Sequence, residues 1–146
     1  MLGISPPHRR RATRLLRRPL LVAALVVALP AVAYGGSANW GFGTRGQASA
    51  TVTWQPANGQ DVNVVVFTLP VKARSAKTRQ GHRCTVSRRH PHQVRCVIAP
   101  AASYGYVDVV AKSRIPCRAA LHFSARPVGA SRLLRQPDIP SGNGCG

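Results

Sequence analysis

Two cysteines flank a short turn and fix more of this chain's folding than any other pair of residues. His82 to Ser87 and Gln93 to Ile98 both alternate apolar and polar residues, and each carries one cysteine, Cys84 and Cys96. Such alternation describes half-buried strands. If Cys84 stands opposite Cys96, Val86 falls opposite Val94 and Arg88 opposite His92, leaving the turn on Arg89, His90 and Pro91. Cys84, Val86, Val94, Cys96 and Ile98 then share one face, while Thr85, Ser87 and Arg95 take the other. Register, polarity and cysteine placement agree, so a disulfide-locked hairpin is predicted here.

Strand-like segments surround it. Ala48 to Trp54 alternates, with Ala48, Ala50, Val52 and Trp54 on one side and Ser49, Thr51 and Thr53 on the other. Asp61 to Leu69 is apolar on both faces from Val64 to Phe67, which places it centrally in its sheet. Pro70 lacks a ladder N–H and ends or bends that strand. Val71 to Arg83 is polar and basic, with a short strand at its start. Ala99 to Ser103 reads as a turn, Tyr104 to Ala111 as a strand with Val107, Val109 and Ala111 inward, and Ala119 to Ala125 as a strand with Leu121, Phe123 and Ala125 inward. Pro56 to Gly59 has turn chemistry. No segment has the length and period of a crossover helix. The predicted fold is therefore all-β: an antiparallel β-sandwich of six to seven strands, preceded by an N-terminal signal helix.

The leader reading rests on residues 1–33. Six arginines between Arg9 and Arg18 precede an uncharged apolar run from Leu20 to Leu29, and Ala31-Val32-Ala33 is a cleavage pattern with the cut after Ala33. The run is short for a membrane span. Cleavage and retention as an N-terminal anchor both remain open. Arg17-Arg18-Pro19-Leu20-Leu21 resembles a twin-arginine export signal, so the export route stays open too. Residues 34–46, with five glycines, read as a Gly-rich lead-in in which Trp40 and Phe42 dock loosely. Residues 47–127 form the sandwich, and residues 128–146 a tail that includes a short helix at Ala130 to Arg135. A secreted or otherwise extracytoplasmic location is oxidising, which favours disulfides among an even number of cysteines. With Cys84 paired to Cys96, Cys117 is left to pair with Cys145 and pin the tail.

Charge is one-sided. The chain has 21 Lys and Arg against three acidic residues, Asp61, Asp108 and Asp138. Glycosidase-type chemistry wants two placed carboxylates, and these three lie far apart in sequence. A Ser–His–Asp set through His122 lacks a G-x-S-x-G elbow, and the glycines at Gly41 to Gly46 do not follow a strand as a phosphate loop requires. The His90-Pro91-His92 pair with His82 has no carboxylate beside it and matches no closed zinc site. No catalytic residue, metal ligand, cofactor or small-molecule substrate is predicted. The functional signal is the density of cations at Lys72, Arg74, Lys77, Arg79, Arg83, Arg88, Arg89 and Arg95, with no acid between Asp61 and Asp108. Such a field attracts polyanions: a wall polymer, an acidic glycan, lipid head groups or nucleic acid. Aromatics are not interleaved with these charges, which weighs against nucleic acid.

The order of Ala50-Thr-Val-Thr53, Pro56-Ala-Asn-Gly59, Val62 to Pro70, Cys84 to Ser87, Val94-Arg-Cys96, Ala99 to Ser103 and Val107 to Val110 resembles a bacterial conserved-repeat domain, the family labelled "domain of unknown function eleven". The resemblance covers about residues 48–126, with Leu69-Pro70 and the cysteine hairpin as its landmarks. It implies an immunoglobulin-like domain of exported and cell-surface proteins, often in tandem, without catalytic residues. This chain departs from it at Phe67, where the family usually has an acid, and in the cationic stretch from Lys72 to Arg83, which the family usually keeps apolar and Gly-containing. Two functions follow as expectations. One is an exported, non-catalytic sandwich with a structural or binding role at the cell envelope. The other is a cationic, antimicrobial-like secreted protein that binds polyanions.

Overall fold

The structure, a computed structural model, describes residues 35–56 and 59–142. The predicted leader and its signal helix at 1–33, and Cys145 with the pairing expected of it, lie outside the described residues. Ten strands occur in chain order: β1 (Gly36–Gly43), β2 (Gly46–Pro56), β3 (Val62–Thr68), β4 (Ala73–Thr78), β5 (Arg83–Val86), β6 (Gln93–Ala102), β7 (Gly105–Ala111), β8 (Ala120–Pro127), β9 (Leu134–Arg135) and β10 (Ile139–Pro140). No helix is present among the described residues.

The strands make two sheets in which every pairing is antiparallel. One has the order β1-β2-β7-β4; the other has β10-β8-β3-β6-β5, with β9 also paired to β8. The apolar faces of both sheets contribute to one core. Val52 and Val107 come from the first sheet, and Val65, Phe67, Val94, Leu121 and Phe123 from the second, all at most 1 % exposed. This is the layering of a β-sandwich. β3, apolar on both faces, lies between β6 and β8, as its composition required.

The hairpin has the expected register. Cys84 is opposite Cys96, Val86 is opposite Val94, and the two cysteines are bonded. Regular pairing stops as Ser87 N donates to Gln93 O at 3.0 Å, so Arg88 and His92 belong to the turn. That turn also anchors the passage from one sheet to the other. Leu69 N donates to His92 O at 2.9 Å and Ala73 N to Pro91 O at 2.8 Å, which carries the chain over Pro70 into β4.

Five expectations are corrected. The sheets hold ten strands rather than six to seven, because β1, β9 and β10 add to the strand-like segments of the sequence. The Gly-rich lead-in is β1, paired with β2 along its length, and Trp40 and Ala38 are each 2 % exposed. Its glycines are poor strand formers, but β2 supplies the ladder and the core takes the two side chains, so tertiary pairing overrides propensity. The turn expected at Ala99 to Ser103 is instead the end of β6. Ala102 pairs with Val62 across a register shift, and Pro100, without an N–H, is accommodated in that bulge. The helix expected at Ala130 to Arg135 is absent; Leu134 and Arg135 form β9 against β8. Ala48 is exposed and Ser49 buried, because the Ser49 hydroxyl accepts from Arg45 N at 3.0 Å and closes the β1–β2 turn. The tail is held by β10 on β8 and by Trp40, whose Nε1 donates to Ile139 O at 2.7 Å in a buried bond.

Candidate functional site

The eight cations singled out in the sequence do not form one patch. Lys72 and Arg89 line an open hollow near the hairpin turn together with His90 and His92. There His92 Nδ1 lies 3.3 Å from Leu69 O. Arg88 is exposed at the same turn. Lys77 and Arg79 lie at the β4 edge on the outer face of the four-stranded sheet. Lys77 is paired in register with Asp108, and Arg79 is bonded to Asp108 at 3.1 Å. Arg83 and Arg95 are on the outer face of the six-stranded sheet, in neighbouring rows of β5 and β6. That face also carries Arg126, which donates to Asn63 Oδ1, and Arg135, which contacts Asp138 and His122.

Arg74 has a different setting. The β4–β7 register shifts between Ala73 and Ser75, so Ala73 pairs with Ala111, Ser75 with Val110, and Arg74 is the extra residue of a bulge. A bulge re-aims a side chain. Arg74 consequently lines an open hollow of about 590 Å³ with Arg45, Lys112 and Arg114. The four cations come from three places: the β1–β2 turn, the β4 bulge and the loop after β7. The antiparallel pairing of β2 with β7 brings the start of one strand to the end of the other, and hence Arg45 beside Lys112 and Arg114. Gln47 braces the wall: its Nε2 donates to Ile115 O at 2.8 Å and its Oε1 accepts from Arg114 Nε, while Ile115 N donates to Gln47 O at 2.9 Å. Lys112 N donates to Lys72 O at 2.8 Å and fastens the same loop to β4. No acid lines the hollow among the described residues.

The acids themselves are engaged elsewhere. Burial works against ionisation of Asp108, but hydrogen bonds from Arg79 and from Thr51 Oγ1 (2.7 Å) outweigh it and hold the carboxyl below its ordinary value. Asp138 is held below its ordinary value chiefly by its hydrogen bond to His122, with help from Arg135. Asp61 is exposed just before β3.

Of the four, only Arg74 is among the eight cations singled out in the sequence; Arg45, Lys112 and Arg114 are not. Arg45 falls in the glycine-rich segment 34–46, and the Lys112-x-Arg114 pair is unremarkable in a chain so rich in cations. Knowing that β2 neighbours β7 would have joined them. Cys117 is disulfide-bonded, and no free cysteine occurs among the described residues. No protein-family model matches the chain, and neither does any curated protein.

Proposed function

We propose that this chain is an exported, non-catalytic, immunoglobulin-like sandwich related to the bacterial conserved-repeat domain, and that it serves at the cell envelope by holding a polyanion. The observation that carries the reading is the convergence of Arg45, Arg74, Lys112 and Arg114 on one hollow with no acid among its described lining residues. Like charges gathered in a concavity focus the field and raise the local concentration of an anionic partner. Arginine also presents a planar donor fork that suits phosphate and carboxylate groups. Supporting the exported location are the leader pattern and the Cys84–Cys96 bridge, since disulfides persist in oxidising compartments. A structural role and an antimicrobial-like role share this surface and differ in what the bound polymer belongs to.

Salt dependence tests it, with duplex DNA as a defined phosphate polymer. If each of the four cations neutralises one phosphate, the slope of log affinity against log salt is about −3.6, and affinity falls about 150-fold between about 50 and about 200 mM salt. Replacing all four residues by Gln removes that slope, whereas Arg83→Gln with Arg95→Gln leaves most of it. A four-residue variant that keeps the wild-type slope refutes the assignment of the hollow. Failure of the wild-type chain to bind at low salt refutes the polyanion reading.

A further inference from the structure

The outer face of the four-stranded sheet carries a second concavity of opposite character. It is about 390 Å³ in volume and lies where β1 begins, β2 ends and β7 begins. Tyr104 and Tyr106 line it, with uncharged hydrogen-bonding residues among the rest of the lining: Ser37, Asn39, Thr53 and Gln55. No charged residue lines it among the described residues, in a chain with 21 Lys and Arg. We propose that this groove is a carbohydrate site that seats a pyranose ring of a neutral polysaccharide.

The aromatic pair supplies the first argument. Tyr104 is 58 % exposed and Tyr106 38 %, the two most exposed aromatic side chains of the described core and surface. Two residues apart at the start of a strand, they project to the same side of the sheet. Their rings stand 6.5 Å apart at 80°, an edge-to-face pair on the groove wall. The negative face of an aromatic ring attracts the C–H groups of a sugar, which weak C–H contacts reinforce.

Preorganisation is the second. Arg79 lies 5.3 Å from the Tyr106 ring centroid and is tied to Asp108, which Thr51 also holds. Arg79 N donates to Tyr106 O at 3.4 Å. Gly105, between the tyrosines, lies so close to the Trp54 indole that a Cβ there would sit 2.1 Å from Trp54 Cζ2. The turn is therefore seated directly on a core side chain 2 % exposed. Rings held this way lose little freedom on binding, which favours affinity.

Polarity selects the ligand class. Hydroxyl and amide side chains both donate and accept, as the ring hydroxyls of a sugar do. A polyanion would find no cation in the lining, since the charge of Arg79 is met by Asp108. An apolar ligand would strand the hydroxyls and amides. The volume is within the range of small-ligand pockets, about 300–1,000 Å³, enough for one or two rings of a longer chain that continues into solvent. The site does not depend on the cationic hollow.

The test uses the full chain with two probes, the tetrasaccharides of β-1,4-linked N-acetylglucosamine and of β-1,4-linked glucose, at high salt to silence the cations. Saturation-transfer NMR reports contact and titration reports affinity. At least one probe is expected to bind, with Tyr104→Ala and Tyr106→Ala each weakening it about tenfold and Tyr104→Phe changing it little. Replacing Arg45, Arg74, Lys112 and Arg114 by Gln leaves it unchanged. Tyr104 is exposed, and circular dichroism of its variants confirms that the fold is kept. Binding of neither probe overturns the proposal. So does binding that survives both alanine variants, or a proline-rich peptide that occupies the tyrosines where both sugars fail.

Discussion

Gly105→Ala tests whether the core and the tyrosine turn are in contact as described. A Cβ at this position would lie 2.1 Å from Trp54 Cζ2, 2.2 Å from Cη2 and 2.8 Å from Cε2. Ordinary van der Waals contact begins near 3.4 Å, so either the indole or the β7 backbone must move by about 1.3 Å. Neither moves easily. Trp54 is 2 % exposed in a close-packed core, and Gly105 is paired with Trp54 in the β2–β7 ladder. Overpacking costs about 1–3 kcal/mol, and three crowded ring atoms put this case near the top, about 3 kcal/mol. Urea unfolding followed by far-UV circular dichroism measures it, with the slope m expected to stay unchanged. The control is a double-mutant cycle. Trp54→Leu is destabilising by itself, through the cavity that it leaves, but it removes all three clashing atoms. Adding Gly105→Ala to Trp54→Leu should then cost well under 1 kcal/mol, a coupling of about 2 kcal/mol or more. A Gly105→Ala protein within 1 kcal/mol of wild type, or a cycle that is simply additive, refutes the described contact.

Removal of the Cys84–Cys96 bridge, as Cys84→Ala with Cys96→Ala, releases a loop of sequence separation 12 and should cost about 3 kcal/mol, read as a lower urea midpoint. Equal midpoints would show that the hairpin register is held by its alternation alone. Trp40→Phe deletes the buried donor to Ile139 O and leaves that carbonyl unmet, for a loss of about 1–3 kcal/mol, with amide exchange accelerating first in β8 residues that pair with β10. Exchange that stays at wild-type rates there would mean that Trp40 does not hold the tail. Asp108, with a folded value below its unfolded one, adds stability above its unfolded pKa of about 4, and that contribution is lost as pH falls through the folded value. The difference in thermal midpoint between wild type and Asp108→Asn should therefore be small and positive near neutrality and close on acidification. A gap independent of pH would contradict the Arg79–Asp108–Thr51 arrangement.

Much of this fold is legible in local sequence. β2, β3, β5, β6, β7 and β8 each overlap a segment whose alternation or continuous apolar run marks most of its inward side chains, with Ala48, Ser49 and the end of β6 as the exceptions. Period two is a property of the strand itself, and Val107, Val109, Leu121 and Phe123 are buried as that period requires. The hairpin register is legible too, because two cysteines and two valines on facing strands admit one alignment. What alternation leaves open is which strands become neighbours. β1 was hidden because its glycines argue against a strand, and only the β2 ladder and the burial of Trp40 make it one. β9 and β10 were hidden because two residues carry no period.

The candidate sites divide in the same way. Charge, periodicity and cysteine spacing are local quantities, so a basic chain of strands with a locked hairpin can be read without knowing which strands are neighbours. Sheet pairing is what takes Arg74 from its neighbours in sequence to join Arg45, Lys112 and Arg114, while Arg79 is met by Asp108. It also decided that Tyr104 and Tyr106 share a neutral groove with Asn39 and Thr53. Both arrangements depend on β2 lying beside β7. That pairing joins residues far apart in the chain, and its stability comes from the core the two sheets enclose rather than from any pattern within either strand.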